Sequence, residues 1–411
     1  MSNFNINLHE TIFLLSDALN LVGGNKIDHG KRVAFMATEC ATALNWPTEI
    51  KDDLFLASLL HDCGVSKTVI YDRMASFEGS NAGNHCSRGA QLLSQSPPLA
   101  YLSDCILHHH VDWEELKGID LPDQLKLLSN CINLFDEVDF LSIAHQKENA
   151  NILVSKDKIR DWISKRSNGT FNPQLVKVFL EISKPEAFWL ALDKGYNSGY
   201  ARSWKAHKTK VDIEFADLKS IVQIYSRMVD AKSYYTKGHS EGVASLSRYL
   251  GELFELTEHD CDQLELAGLL HDLGKLRIPD NILDKPDILD EAEVLVMKRH
   301  SYDTYDILKD IHGFENIATW ASQHHERLDG SGYPFQYDES NLSLEARIIA
   351  VADVFQSYTQ SRPHREKLHA ELILGLLRQQ MHEGRLDKDV VLMVEENLAD
   401  CWKIAVYEVN N

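Results

Sequence analysis

The sequence predicts an all-α protein assembled from two related helical bundles, and three observations carry that expectation. Apolar residues recur at helix spacing, as in Leu266, Leu269, Leu270 and Leu273, or Val243, Leu246 and Leu250. No sustained alternation of apolar and polar residues marks a strand-rich fold. The chain also resembles itself: residues 57–64 read AlaSerLeuLeuHisAspCysGly and residues 267–274 read AlaGlyLeuLeuHisAspLeuGly, an offset of 210.

The repeat continues in order along both halves. His29 and His239 each stand 32 residues before their His-Asp pair, at the head of HisGlyLysArgValAla and HisSerGluGlyValAla. Downstream, His85 matches His300, and the cluster His108, His109, His110 matches His324 and His325, both at an offset of 215. AsnGlyThrPheAsnPro from Asn168 matches GluGlyArgLeuAspLys from Glu383 at that same offset. A tandem duplication followed by one short insertion leaves two offsets of this kind. Within each copy, loops are expected where Gly and Pro cluster, at residues 330–334 (GlySerGlyTyrPro) and 361–363 (SerArgPro). The stretch from Lys184 to Lys210, rich in Gly and Tyr and ending in basic residues, reads as the junction, so the expected domains are 1–210 and 211–411.

Size and composition agree with two cores. A chain of 411 residues exceeds what one compact core usually organises. With 44% apolar and 25% charged residues, little room remains for a disordered or fibrous chain. Lys plus Arg (42) against Asp plus Glu (62) gives a net charge of -20, which argues against DNA as a partner but leaves local anion binding open. Seven cysteines occur singly with no CxxC pair, which reads as reduced thiols in a cytoplasmic protein. The most apolar N-terminal stretch, Thr11 to Gly24, is too short to cross a bilayer and is interrupted by Asp17. Neither a membrane span nor a signal segment is expected.

The second half carries the chemistry. His239, His271, Asp272, His300, His324, His325 and Asp353 are five imidazoles and two carboxylates, donors suited to first-row transition metals. Seven donors are too many for one ion. Adjacent helical residues point about 100° apart, so His271 and Asp272 serve neighbouring ions only if the carboxylate bridges them. Ile317 and Ala321 lead at helix spacing to His324 or His325, and Ile349 leads to Asp353, so the ligands are expected on core-facing helix stripes. A single His on an apolar face is ordinarily a satisfied core residue. A His-Asp pair inside an apolar helix instead buries a charge that needs a cation.

HisAspLeuGlyLys (271–275), HisHisGluArgLeuAspGlySerGlyTyrPro (324–334) and AlaArgIleIleAlaValAlaAspValPhe (346–355) together resemble the signature of the HD-GYP family, within the HD superfamily of metal-dependent phosphohydrolases. The resemblance implies tandem HD-domain bundles, the second an HD-GYP domain. It further implies two divalent transition metal ions, iron or manganese, with His239, His271, Asp272 and Asp353 on one and Asp272, His300, His324 and His325 on the other. The implied reaction is hydrolysis of a bacterial cyclic dinucleotide, cyclic di-GMP or 3'3'-cyclic GMP-AMP, to a linear product. Asp272 and Lys275 are the expected catalytic residues. Lys275 and Tyr333 are expected to bind substrate, through phosphate charge and base stacking respectively. Arg362 and Arg365 match basic positions that contact phosphate in the family.

Some positions depart from that pattern. Tyr235 stands where members with a third metal carry Glu, so two metals are expected, while Thr304, Leu328 and Gln356 bear on loop shape and substrate preference. In the first half, His29, His61, Asp62, His85, His109 and His110 form a residual metal set. Val65 replaces the Lys, no GlyTyrPro loop follows, and Asp353 has no clear counterpart, Asn133 and Asp136 being nearest. That half is expected to be a degenerate HD domain serving regulation or self-association as a homodimer. The alternative to an enzyme is a catalytically weak adaptor that binds a cyclic dinucleotide around a structural metal centre.

Overall fold

The computed structural model describes residues 3–22, 28–67, 82–149, 151–192, 211–233, 238–360 and 366–406. They form two compact units, one comprising Asn7–Val65 with Val69–Thr209, the other Met1–Ile6, Ser66–Thr68 and Lys210–Asn411. Both units are helical, as the sequence predicts. Among the described residues, no helix is long and apolar enough to cross a membrane.

The duplication reappears as matched elements. Helix His29–Ala43 and helix His239–Leu253 have 15 residues each, and each follows a left-handed residue, Asp28 (φ 64) or Gly238 (φ 75). Helices Thr48–Leu60 and Glu258–Leu270 have 13 residues each and stop at the His-Asp pair. In the second of these, Thr257 caps the start by accepting from the Asp260 amide, and acidic residues in the first turn complement the helix dipole. Ten of its 13 residues are buried, so it is the central helix of its bundle. Helices Pro173–Ile182 and Lys388–Glu396 close the correspondence. Asn172 and Asp387 each cap two backbone amides, which gives the faint late match between the halves a common physical cause.

The His-Asp turns are fixed by close packing. A Cβ on Gly274 would lie 2.0 Å from the His300 carbonyl oxygen, and one on Gly64 would lie 2.0 Å from that of His85. Only glycine lets the turn approach the neighbouring helix that brings the next ligand. Thr304, a departure from the family pattern, reinforces the same contact. Its hydroxyl donates to the His271 carbonyl and accepts from the Gly274 amide.

One element was not expected. Asn3–Ile6 and Val211–Glu214 pair as a two-stranded antiparallel sheet, with Asn3 opposite Glu214 and Ile6 opposite Val211. Phe4 and Ile6 point into the core, and the Phe4 ring packs on Phe215 and His259. The first six residues thus belong to the unit that begins again at residue 210.

Candidate metal centre

Most of the second-lobe histidines sit at helix ends. His239 opens its helix, His271 lies just past Leu270, and His324 and His325 lie in the turn after helix Glu315–Ser322. Only His300 and Asp353 stand within helices, Glu291–Leu308 and Leu344–Thr359. The expected continuous ligand stripe through Ile317 and Ala321 is therefore replaced by a turn. The last carbonyls of a helix lack intrahelical partners, and the His271 and His324 Nδ1 atoms meet such carbonyls, at Gly268 and Ala321, both 2.7 Å away. His300 does the same to Met297 within its helix, at 2.6 Å. Holding Nδ1 on a carbonyl leaves Nε2 to face the other donors, as metal-binding histidines require.

The donors fall into two groups around Asp272. Its Oδ2 lies 3.5 Å from His239 Nε2 and 3.3 Å from His271 Nε2, while Asp353 Oδ1 lies 3.3 Å from His239 Nε2. Its Oδ1 lies 3.5 Å from His300 Nε2 and 3.8 Å from His324 Nε2. His300, His324 and His325 offer ligand atoms within 4.8 Å of one another, as do His239, His271 and Asp353. One carboxylate thus presents one oxygen to each group. His239 Nε2, His271 Nε2 and Asp272 Oδ1 are buried without hydrogen-bond partners among the described residues. Buried polar atoms left in that state are costly, and bound cations would satisfy them.

Electrostatics sharpen the division. Burial would raise Asp272 and Asp353, but His271 and Lys275 around Asp272, and His239 beside Asp353, hold both well below the usual carboxylate range. Burial depresses His300 to about 4, and burial with the neighbouring His300 takes His325 to about 3. His324 is likewise driven down by burial and by His325. These three imidazoles remain neutral donors near neutral pH. His239 behaves oppositely: burial would lower it, yet the negative carboxylates of Asp272 and Asp353 beside its ring raise it to about 9.

That difference predicts a pH effect. In metal-free protein, a raised His239 adds stability fully present below its unfolded pKa of about 6.5 and lost as pH climbs through 9. The melting temperature of metal-free protein is expected to fall across that interval. Cation uptake near neutrality is expected to release a proton, detectable by calorimetry in buffers of different ionisation enthalpy. A flat melting profile and proton-neutral uptake would contradict the arrangement.

Gln356, read from sequence as a departure beside the pocket, holds the ring of His239, one of the expected ligands. Its Oε1 accepts from His239 Nδ1 at 2.5 Å, and its amide group donates to the Ala405 carbonyl. A Cβ on Gly242 would lie 2.8 Å from Gln356 Cγ, so that glycine makes room for the contact. Gln356→Leu is expected to weaken metal retention by about 10- to 100-fold, measured by competition with a graded series of chelators.

Around this centre, Lys275 Nζ lies 2.5 Å from Asp272 Oδ2. Past His271 the chain tightens into a 3-10 turn, Leu273–Arg277, which sets the Lys275 ammonium on Asp272. The Tyr333 ring packs on His325, tilted by 35° with centroids 4.8 Å apart, and the Lys298 ammonium lies 5.2 Å from it. Sequence reasoning missed Glu326, a buried carboxylate that accepts from the amides of Phe335, Gln336 and Tyr337 and so ties down the loop after Tyr333. Arg362, Arg365 and Tyr235 lie outside the described residues.

The first lobe reproduces the ligand geometry. His29 Nε2 lies 3.1 Å from Asp136 Oδ1, His61 Nε2 lies 3.8 Å from the same oxygen, and His110 Nε2 lies 3.9 Å from Asp136 Oδ2. Asp62 presents Oδ2 to His29 and His61 and Oδ1 to His85, each at 3.6 Å. Asp136 is therefore the counterpart of Asp353 that sequence left open, while Asn133 only approaches the Val111 carbonyl. Asp139 Oδ2 lies 2.7 Å from His29 Nδ1, the role Gln356 fills in the other lobe. What this lobe lacks is the lysine, since Val65 is buried in its place, and the GlyTyrPro loop.

Two helical bundles with paired His-Asp centres define a metal-dependent phosphohydrolase of the HD superfamily. HD-domain models match residues 27–141 and 223–390. The chain is 35% identical to 3'3'-cGAMP-specific phosphodiesterase 1 of Vibrio cholerae, over 98% of this chain and 95% of that protein. It is 40% identical to a cyclic di-GMP phosphodiesterase response regulator of Xanthomonas campestris, over 39% of this chain and 43% of that one. A solved cyclic GMP-AMP specific phosphodiesterase of V. cholerae shares the fold, with a TM-score of 0.64 at 24% identity over 98% of both chains. The chain belongs to the HD-GYP family of cyclic-dinucleotide phosphodiesterases.

Proposed function

We propose that residues 211–411 hydrolyse 3'3'-cyclic GMP-AMP to the linear dinucleotide at a centre of two divalent ions, iron or manganese, and that residues 1–210 are non-catalytic. The observation that carries the reading is Asp272, whose two carboxylate oxygens face separate groups of imidazoles. His239, His271 and Asp353 with Asp272 Oδ2 would hold one ion, and His300, His324 and His325 with Oδ1 the other. When bound, such a pair would supply Lewis acidity for an in-line phosphodiester displacement by water. Lys275 offers a fixed positive charge beside the reacting phosphate. Tyr333 offers a ring face beside His325 on which a base stacks. Arg362 and Arg365 are proposed to hold the second phosphate.

The preference for 3'3'-cyclic GMP-AMP over cyclic di-GMP is supported by the near full-length likeness to the V. cholerae protein, which includes the first lobe. Seven buried cysteines, none in a disulfide among the described residues, support a reducing cytoplasmic setting. The test is direct. Full-length protein loaded with iron or with manganese is incubated with each cyclic dinucleotide separately, and linear product is followed by chromatography. Faster release from cyclic di-GMP would reverse the proposed preference, and no product from either would favour the adaptor reading.

A further inference from the structure

We propose that the first lobe carries a metal site of different character, built from His85, Cys86, His109 and His110, which selects a thiophilic ion such as zinc. Their four donor atoms all lie within 4.8 Å of one another. His85 Nε2 lies 3.3 Å from His109 Nε2, and Cys86 Sγ lies 3.6 Å from His85 Nε2 and 4.0 Å from His109 Nε2. Tetrahedral zinc, with bonds of about 2.0–2.1 Å to nitrogen and about 2.3 Å to sulfur, places its nitrogens about 3.3 Å apart and nitrogen about 3.5 Å from sulfur. Two of the three distances already match, and the third closes with a shift of about half an ångström. His110 Nε2 is buried without a hydrogen-bond partner among the described residues.

The comparison within the chain isolates the sulfur as the difference. At the offset of 215, Cys86 corresponds to Ser301, whose hydroxyl lies 3.3 Å from His300 Nε2. The two lobes thus present the same three imidazoles, but one adds a soft sulfur donor, a thiol whose proton a bound ion would displace, where the other has a hydroxyl. Sulfur ligation shifts selection toward zinc, whereas the imidazole and carboxylate set of the second lobe suits harder ions. With Val65 in place of the second lobe's lysine, this centre acts as a structural clamp on helix Ala82–Ser94.

The test uses the full chain stripped of metal and reloaded. With cobalt(II), the wild type is expected to show a near-ultraviolet thiolate-to-cobalt charge-transfer band that Cys86→Ser lacks. Elemental analysis after zinc loading should find one zinc fewer per chain in the variant, with the second-lobe metal and turnover kept. Where the variant does not fold, zinc-edge X-ray absorption of the wild type gives the answer by resolving a sulfur neighbour. A band that survives in Cys86→Ser, or zinc surrounded only by nitrogen and oxygen, overturns the proposal.

Discussion

Asp272→Ala is expected to lower turnover by about three orders of magnitude or more and to leave the second lobe unable to keep two ions together. The expectation rests on geometry rather than on charge alone. Oδ2 faces His239 and His271 and Oδ1 faces His300 and His324, so one substitution removes a donor from both groups at once. It also leaves His239 Nε2 and His271 Nε2, already without hydrogen-bond partners among the described residues, beside a smaller set of acceptors. Metal content by elemental analysis and turnover on 3'3'-cyclic GMP-AMP should fall together. Full occupancy with full rate would mean that the carboxylate does not bridge. By contrast, removing a donor such as Asp353 is expected to affect mainly the ion on the His239 side.

Lys275→Ala should separate chemistry from metal binding. Lys275 is 15% exposed, and its ammonium rests on the Asp272 oxygen that faces His239 and His271. It is therefore a cation held at the edge of the centre. Loss of a preorganised positive charge beside a phosphoryl group costs about 100- to 1,000-fold in kcat. Both ions should be retained, because the imidazole and carboxylate donors are untouched. If the ammonium acts on developing charge, kcat falls while KM changes little. Should metal content drop in step with rate, the role of Lys275 would be to set the Asp272 carboxylate rather than to meet the substrate.

The second-lobe donor set was legible because each member is a His or Asp in a spaced and repeated pattern, and the structure draws all seven side chains into two adjoining groups. Asp136 was harder to read. It stands 217 residues before Asp353 (353 − 136), not 215, so a two-residue drift within the repeat hid the match. Cys86 looked like one of seven inert thiols, since a ligand at a position held by serine in the other half leaves no motif. Gln356 looked like a departure that bears on loop shape and substrate preference, because sequence gives residue type but not which ring nitrogen a side chain meets. Helix boundaries were misjudged at His324 and His325. Apolar spacing continues through residues that form a turn, where the imidazole itself takes over a helix-terminal carbonyl. The short strand Asn3–Ile6 could not be foreseen, since four residues of alternation fall within ordinary noise and its partner lies more than two hundred residues away.

That strand decides how the protein behaves once its backbone is severed. A single cut in the connection before residue 211 would not release the second lobe intact, because Asn3–Ile6 leaves with the other fragment unless its ladder to Val211–Glu214 holds. The short ladder and the wedge of Phe4 against Phe215 and His259 act as a stitch joining the two products. A nicked chain is thus expected to migrate as one species in native conditions and to part only in denaturant. Any excised catalytic fragment starting at residue 211 begins life with a bare sheet edge and an open apolar socket.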